Sequence, residues 1–220
     1  NVVVTPHLGA STDEAQEKAG VSVARSVRLA LDGELVPDAV NVAGGIIDPY
    51  VRPGIALVEK LGQIFSALAS SPLTSVDVEV HGELSEYDVS VLKLAALKGL
   101  FTNIVSESVS YVNAPLLAEQ RGINVRLLTD ADSAEYRNVI TIRGALSDST
   151  QLSVSGTLTG PKQVEKLIGI NGYEIEVPIA QHHIVMLYRD RPGIVALYGT
   201  AFGEAGINIG TFHLGRREAG

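Results

Sequence analysis

Two short stretches carry side chains whose types and spacing suit chemistry. The first is Pro6-His7-Leu8-Gly9-Ala10-Ser11-Thr12, where a single imidazole separates a strand-like run, Asn1 to Thr5, from the start of a helical pattern. Imidazole is the side chain best matched to moving a proton near neutral pH. A place after a strand end and before a capped helix is the carboxyl edge at which α/β sheets expose functional groups, and Gly9 leaves room for a ligand close to the backbone. The residues alone leave two readings of His7: a proton-transfer group, or a surface imidazole beside a helix cap. The second stretch is Tyr188-Arg189-Asp190-Arg191-Pro192-Gly193-Ile194, followed by Gly206-Ile207-Asn208-Ile209. Pro192 and Gly193 open a helix whose free N–H groups and dipole favour an anion such as a carboxylate. Asp190 offers an acceptor for an ammonium group, and Asn208 offers both donor and acceptor. Together they suit the zwitterion of an amino acid; otherwise Asp190 caps the helix and Asn208 lies in a turn. Lys162 and Lys166, four apart, would share one helical face, either taking a phosphate or simply solvated.

The elements that must position these groups are legible in the periodicity. Ser11 and Glu14 have capping-box spacing, and Ala15, Ala19, Val23, Val27 and Ala30 recur as one helical face that stops at Gly33. From Gly33 to Gly54 the chain is punctuated by Gly33, Gly44, Gly45, Pro37, Pro49 and Pro53; this places a domain boundary and a plausible hinge. Ile55, Val58, Leu61, Phe65 and Leu68 mark a second amphipathic helix, opened by Pro53 and Gly54. Strict alternation from Ser75 to His81 puts Val76, Val78 and Val80 on one face of a strand. Further helices are expected from about Glu86 to Leu100 and from Ala114 to Gln120. Strands are expected at Val125 to Leu128, Asn138 to Arg143, Gln151 to Leu158 and Tyr173 to Val177. The last stretch reads β-α-β: His183 to Tyr188, Gly193 to Gly206, and Ile207 to Leu214. Helices and strands mix without regular βαβ alternation, which predicts the α+β class.

Three parts of the chain resemble known families. Strand-Pro6-His7-Leu8-Gly9-Ala10-Ser11-Thr12-helix resembles the catalytic-histidine segment of the D-2-hydroxyacid dehydrogenases. That resemblance implies that His7 is the general acid/base for a hydroxyl proton as hydride leaves for NAD, and that His7, Leu8, Gly9 and Ala10 lie beside the nicotinamide. The paired carboxylate, the substrate-binding Arg and the Gly-rich phosphate loop of that family would precede Asn1, and no G-x-G-x-x-G occurs here. Asp190-Arg191-Pro192-Gly193-Ile194, a helix, then Gly206-Ile207-Asn208-Ile209 resembles an ACT domain, a regulatory module that binds amino acids and commonly pairs side by side. In serine-responsive members the matching effector contacts are Tyr188, Asp190 and Asn208.

The middle of the chain supplies the third match. Gly82-Glu83-Leu84-Ser85-Glu86-Tyr87-Asp88, Leu94 to Leu100, Tyr111-Val112-Asn113-Ala114-Pro115, Glu119 to Ile123 and Gly156-Thr157-Leu158 occur in that order. They resemble the extra domain between the catalytic and ACT parts of long-form D-3-phosphoglycerate dehydrogenases. The resemblance implies a second anionic-ligand site at Lys166, with Pro178 standing where a partnering Arg is expected.

The resulting expectation is α+β: a remnant of an α/β catalytic part over 1–36 (a strand end plus a long helix), a middle α/β-sandwich regulatory domain over 37–180, and an incomplete ferredoxin-like ACT domain over 181–220. Both ends read as strands in need of neighbours, so the chain is read as an internal piece of a longer cytoplasmic protein. By resemblance, the parent oxidises 3-phospho-D-glycerate with NAD at the entry to L-serine synthesis. Its small-molecule ligands are then 3-phosphoglycerate and L-serine, and it is a homo-oligomer, dimer or tetramer, joined through its ACT and middle domains. The alternatives are another D-2-hydroxyacid dehydrogenase, or a non-catalytic sensing module like that of bacterial serine dehydratases.

Composition narrows the field from the other side. The 220 residues carry 17 Lys plus Arg against 25 Asp plus Glu, a formal charge of −8. That balance matches neither a phosphate backbone nor an anionic membrane surface, so neither nucleic acid nor membrane is an expected partner. Without cysteine, thiol nucleophiles, disulfides and Cys-based metal centres are excluded within this sequence. Asp130-Ala131-Asp132 opens like a calcium loop but has Glu135 where the turn needs Gly, and adjacent His182 and His183 would point to opposite faces of a strand. No metal site is expected.

Overall fold

The computed structural model describes residues 2–4, 9, 11–36, 38–40, 47–189 and 191–217. The first helix, α1 (Asp13–Leu31), starts one residue later than the capping-box reading placed it. Thr12 is the N-cap, its Oγ1 accepting the Ala15 N–H at 3.2 Å, while Glu14 pairs with Lys18 one turn on. Gly33, at φ 71°, closes the helix as expected. Val2 to Val4 do not form the expected strand; they are exposed and join no ladder, because a strand requires a hydrogen-bonded neighbour and none of the described residues supplies one. Asn1 and Thr5 lie outside the described residues.

The core lies between α2 (Arg52–Leu68), β1 (Leu73–Gly82), α3 (Ser90–Thr102), α4 (Ala114–Gln120), β2 (Asn124–Asp130), β3 (Asn138–Leu146), β4 (Gln151–Thr159), β5 (Val164–Ile170) and β6 (Tyr173–Pro178). The sheet order is β2-β1-β3-β4-β5-β6, extended at its edge by the two residues of β7 (Arg216–Arg217). β1 and β2 run parallel, which their connection through α3 and α4 makes possible. The remaining neighbours are antiparallel. Val76, Val78 and Val80 face the helices, in register with Gly144, Ile142 and Ile140 of β3. Two central glycines let the layers close. A Cβ on Gly144 would stand 2.7 Å from Phe65, and one on Gly99 would stand 2.0 Å from the Glu59 carbonyl oxygen, so α2 and α3 cross in backbone contact. α3 is apolar on nearly every side because it is enclosed by α2, α4 and the sheet.

Four further expectations are corrected. The third helix begins at Ser90 rather than Glu86; Glu83–Glu86 form a 3-10 turn, and Asp88 Oδ1 accepts the Ser90 N–H at 2.9 Å. Lys162 and Lys166 share no helix. Gly160 (φ 68°) and Gln163 (φ 50°) tighten a turn that holds Lys162, and Lys166 lies within β5. The stretches 183–188 and 207–214 are not strands. Their apolar residues carry the right composition, but no described strand pairs with them, so the expected β-α-β reduces here to α5 (Ile194–Glu204). In the expected hinge, Val36 is buried, while Leu35 and Ala39 pack against the core; 37 and 41–46 lie outside the described residues.

Candidate functional site

With the helices covering one face, the other face of the sheet is left to polar side chains, and alternation decides which. On β1 the residues between the core valines are Asp77, Glu79 and His81; on β3, Thr141 and Arg143; on β4, Ser153 and Ser155. Each cation named on this face has a carboxylate. Arg126 donates to both Asp77 oxygens, through Nε at 2.7 Å and a terminal nitrogen at 2.5 Å, and Arg143 Nε donates to Glu79 at 3.0 Å. Thr141 and Ser155 hydroxyls meet at 2.8 Å. Such cross-strand pairs fix register more than they add stability.

Toward β5 and β6 this face opens into a cleft of about 770 Å³ whose lining includes Tyr136, Arg143, Ser153, Ser155, Glu176 and His213. At its edge Lys166 Nζ donates to Glu176 Oε1 at 2.5 Å. That hydrogen bond and the lysine's charge hold the Glu176 carboxyl below the usual carboxylate range, with smaller help from His213 and the Tyr136 hydroxyl. Tyr136 is itself pushed up, first by burial and then by Glu176 and neighbouring carboxylates. Lys166 stands directly opposite Pro178 in the β5–β6 ladder.

A second polar cluster lies inside the helical layer. Glu59 of α2 accepts from Lys98 of α3 at 3.0 Å and from the Tyr111 hydroxyl at 2.7 Å. The Lys98 ammonium also sits 4.5 Å above the Tyr111 ring. Burial first, then the hydrogen bond to Glu59, drives the Tyr111 pKa far above its ordinary value. This cluster ties two helices to the segment before α4.

Residues 50–171 match the family described as the D-3-phosphoglycerate dehydrogenase intervening domain. The chain belongs to this family. The D-3-phosphoglycerate dehydrogenase of Mycobacterium leprae (strain TN) is 46% identical over 208 residues, covering 94% of this chain and 39% of that protein. The protein of the same name from Synechocystis is 35% identical over 99% of this chain and 39% of its own length. That of Bacillus subtilis (strain 168) is 29% identical over the whole of this chain and 42% of its own length. The chain thus spans about two-fifths of the curated relatives it matches. Among the described residues, no helix is long and apolar enough to cross a membrane.

The intervening domain therefore comprises α2 through the β5–β6 turn, and both the polar cleft and the Glu59 cluster lie in or against it. The other expected site residues flank it. His7, Leu8 and Ala10 lie outside the described residues; Gly9 is an exposed turn residue ahead of α1. Tyr188 is half-buried and meets Tyr198 of α5 edge-to-face, centroids 5.6 Å apart. Asn208 is exposed, no hydrogen bond joins it to Tyr188, and Asp190 lies outside the described residues. The residues that motif reading missed are Tyr136, Glu176 and His213 around Lys166. The alternation Glu174-Ile175-Glu176-Val177 signals that Glu174 and Glu176 share a face, but reading Lys166 as helical hides the neighbour strand. His183, weighed only as a metal ligand, accepts the Ala180 N–H on Nε2 at 2.8 Å.

Proposed function

We propose that this chain is the largely regulatory part of an NAD-dependent D-3-phosphoglycerate dehydrogenase. The parent oxidises 3-phospho-D-glycerate to 3-phosphohydroxypyruvate, the first step of L-serine synthesis, in the cytoplasm and as a homo-oligomer. The observation that carries this reading is the 46% identity to a protein of that name along 94% of the chain. His7 is the one catalytic residue it contributes: its imidazole accepts the substrate hydroxyl proton in oxidation and returns it in reduction. On this reading His7, Leu8, Gly9 and Ala10 lie beside the nicotinamide, and the sequence carries no G-x-G-x-x-G for the rest of the dinucleotide. The main NAD-binding residues belong to parts of the parent outside this chain, and the 220 residues alone give no turnover.

The regulatory division follows the same reading: 1–36 with the catalytic part, 37–180 as the middle domain, and 181–220 as ACT-type. Tyr188, Asp190 and Asn208 contact L-serine, and Lys166 contacts an anionic ligand of the middle domain. An effector acts only by binding one arrangement of these parts better than another. The test is NADH formation by the full-length protein. The expected result is turnover of 3-phosphoglycerate in preference to other 2-hydroxy acids, reduced on the order of 10²–10⁴-fold in His7→Asn. Oxidation of other 2-hydroxy acids without 3-phosphoglycerate would overturn the reading.

A further inference from the structure

Lys166 and Glu176 are not equally placed. The lysine side chain is 25% exposed and the glutamate 50%, and Glu176 lines the cleft whereas Lys166 does not. An anion arriving at the cleft meets Glu176 before Lys166. The residue opposite Lys166 is Pro178, which contributes no side-chain donor. Arg143, which does line the cleft, is committed to Glu79. Glu135 and Glu174 add negative charge to the same wall. Being tethered, the Glu176 carboxylate has an effective concentration at Lys166 far above that of a free anion at millimolar levels.

We propose that the Glu176 carboxylate, on the wall of this cleft, is an internal occupant of Lys166 that closes the lysine to phosphate-type anions. The proposal rests on the reading of Lys166 as an anion contact. Removing the occupant's charge unmasks the lysine, and displacing it is what any anionic effector of this chain must accomplish. A ligand with both a phosphate and a cationic group could do so by satisfying Lys166 and Glu176 together, whereas inorganic phosphate cannot.

Titration of the full 220-residue chain with inorganic phosphate, read by calorimetry and by amide shifts around Ser155 and Gly169, tests this directly. The unsubstituted chain is expected to show no saturation up to on the order of 10 mM. Glu176→Gln, at a half-exposed surface position, is expected to bind about tenfold or more tightly than the unsubstituted chain. Adding Lys166→Met to Glu176→Gln is expected to abolish the gain. If the unsubstituted chain binds phosphate through Lys166 and Glu176→Gln leaves the affinity unchanged, the anion contact stands and the internal occupant is refuted. If Glu176→Gln, confirmed folded by its circular dichroism, binds no phosphate, both the occupant and the anion contact are refuted.

Discussion

α1 and α2 are similar in length, 19 and 17 residues, yet α2 buries seven of its residues and α1 buries none. Both carry apolar side chains at helical spacing. What separates them is the partner: α2 lies across α3, β3 and β4, whereas Val21, Val23, Val27 and Leu31 of α1 face solvent. α5 resembles α1, with Ile194 its one buried residue. The intervening domain is thus stabilised by contacts within its own sequence. α1 rests on propensity, its Thr12 cap and i,i+4 ion pairs, and α5 has no side-chain cap among the described residues; isolated helices of this length are marginal in water.

Substitutions should divide along that line. Phe65→Ala, at a fully enclosed side chain packed over Gly144, is expected to cost about 3–5 kcal/mol in denaturant unfolding. Val23→Ala, at a residue 61% exposed on α1, should stay within about 0.5 kcal/mol. Equal effects would erase the distinction. Next in size is Tyr111→Phe, which removes one donor from the Glu59 carboxylate and is expected to cost about 1–2 kcal/mol.

The same tyrosine gives the alkaline side of the stability curve a sign. The folded state holds the phenol protonated to higher pH than the unfolded chain does. Its contribution is complete below the unfolded value near 10 and declines as pH rises above it. Urea unfolding between about pH 9 and 11 should therefore show a decline that Tyr111→Phe flattens. Smaller than the Tyr111 effect is Thr12→Ala, expected to weaken α1 by about 0.5–1 kcal/mol. It should be seen as lost helicity by circular dichroism, without movement of the main unfolding transition.

How far the sequence could be read follows the same division. Where burial imposes a period, as at Val76-Val78-Val80 or along α2, elements and faces were legible to within a few residues. β5 was not, because Val164 to Ile170 mixes charged and apolar residues around an irregularity between Leu167 and Gly169. The flanking segments 183–188 and 207–214 have strand composition, but composition does not supply a ladder partner. For the site, motif resemblance pointed to single residues such as His7, Lys166 and Asn208. The Lys166–Glu176 contact depends on pairing between β5 and β6 and could be read only from the fold.

On the proposed function, this chain is mainly regulatory and contributes His7 alone to catalysis. Turnover of 3-phosphoglycerate by the full-length protein, with and without saturating L-serine, tests it most directly when compared with Asn208→Ala. The expected result is inhibition by serine in the unsubstituted enzyme and none in Asn208→Ala, whose activity without serine is unchanged. Full 3-phosphoglycerate turnover that serine leaves untouched in both proteins would contradict it.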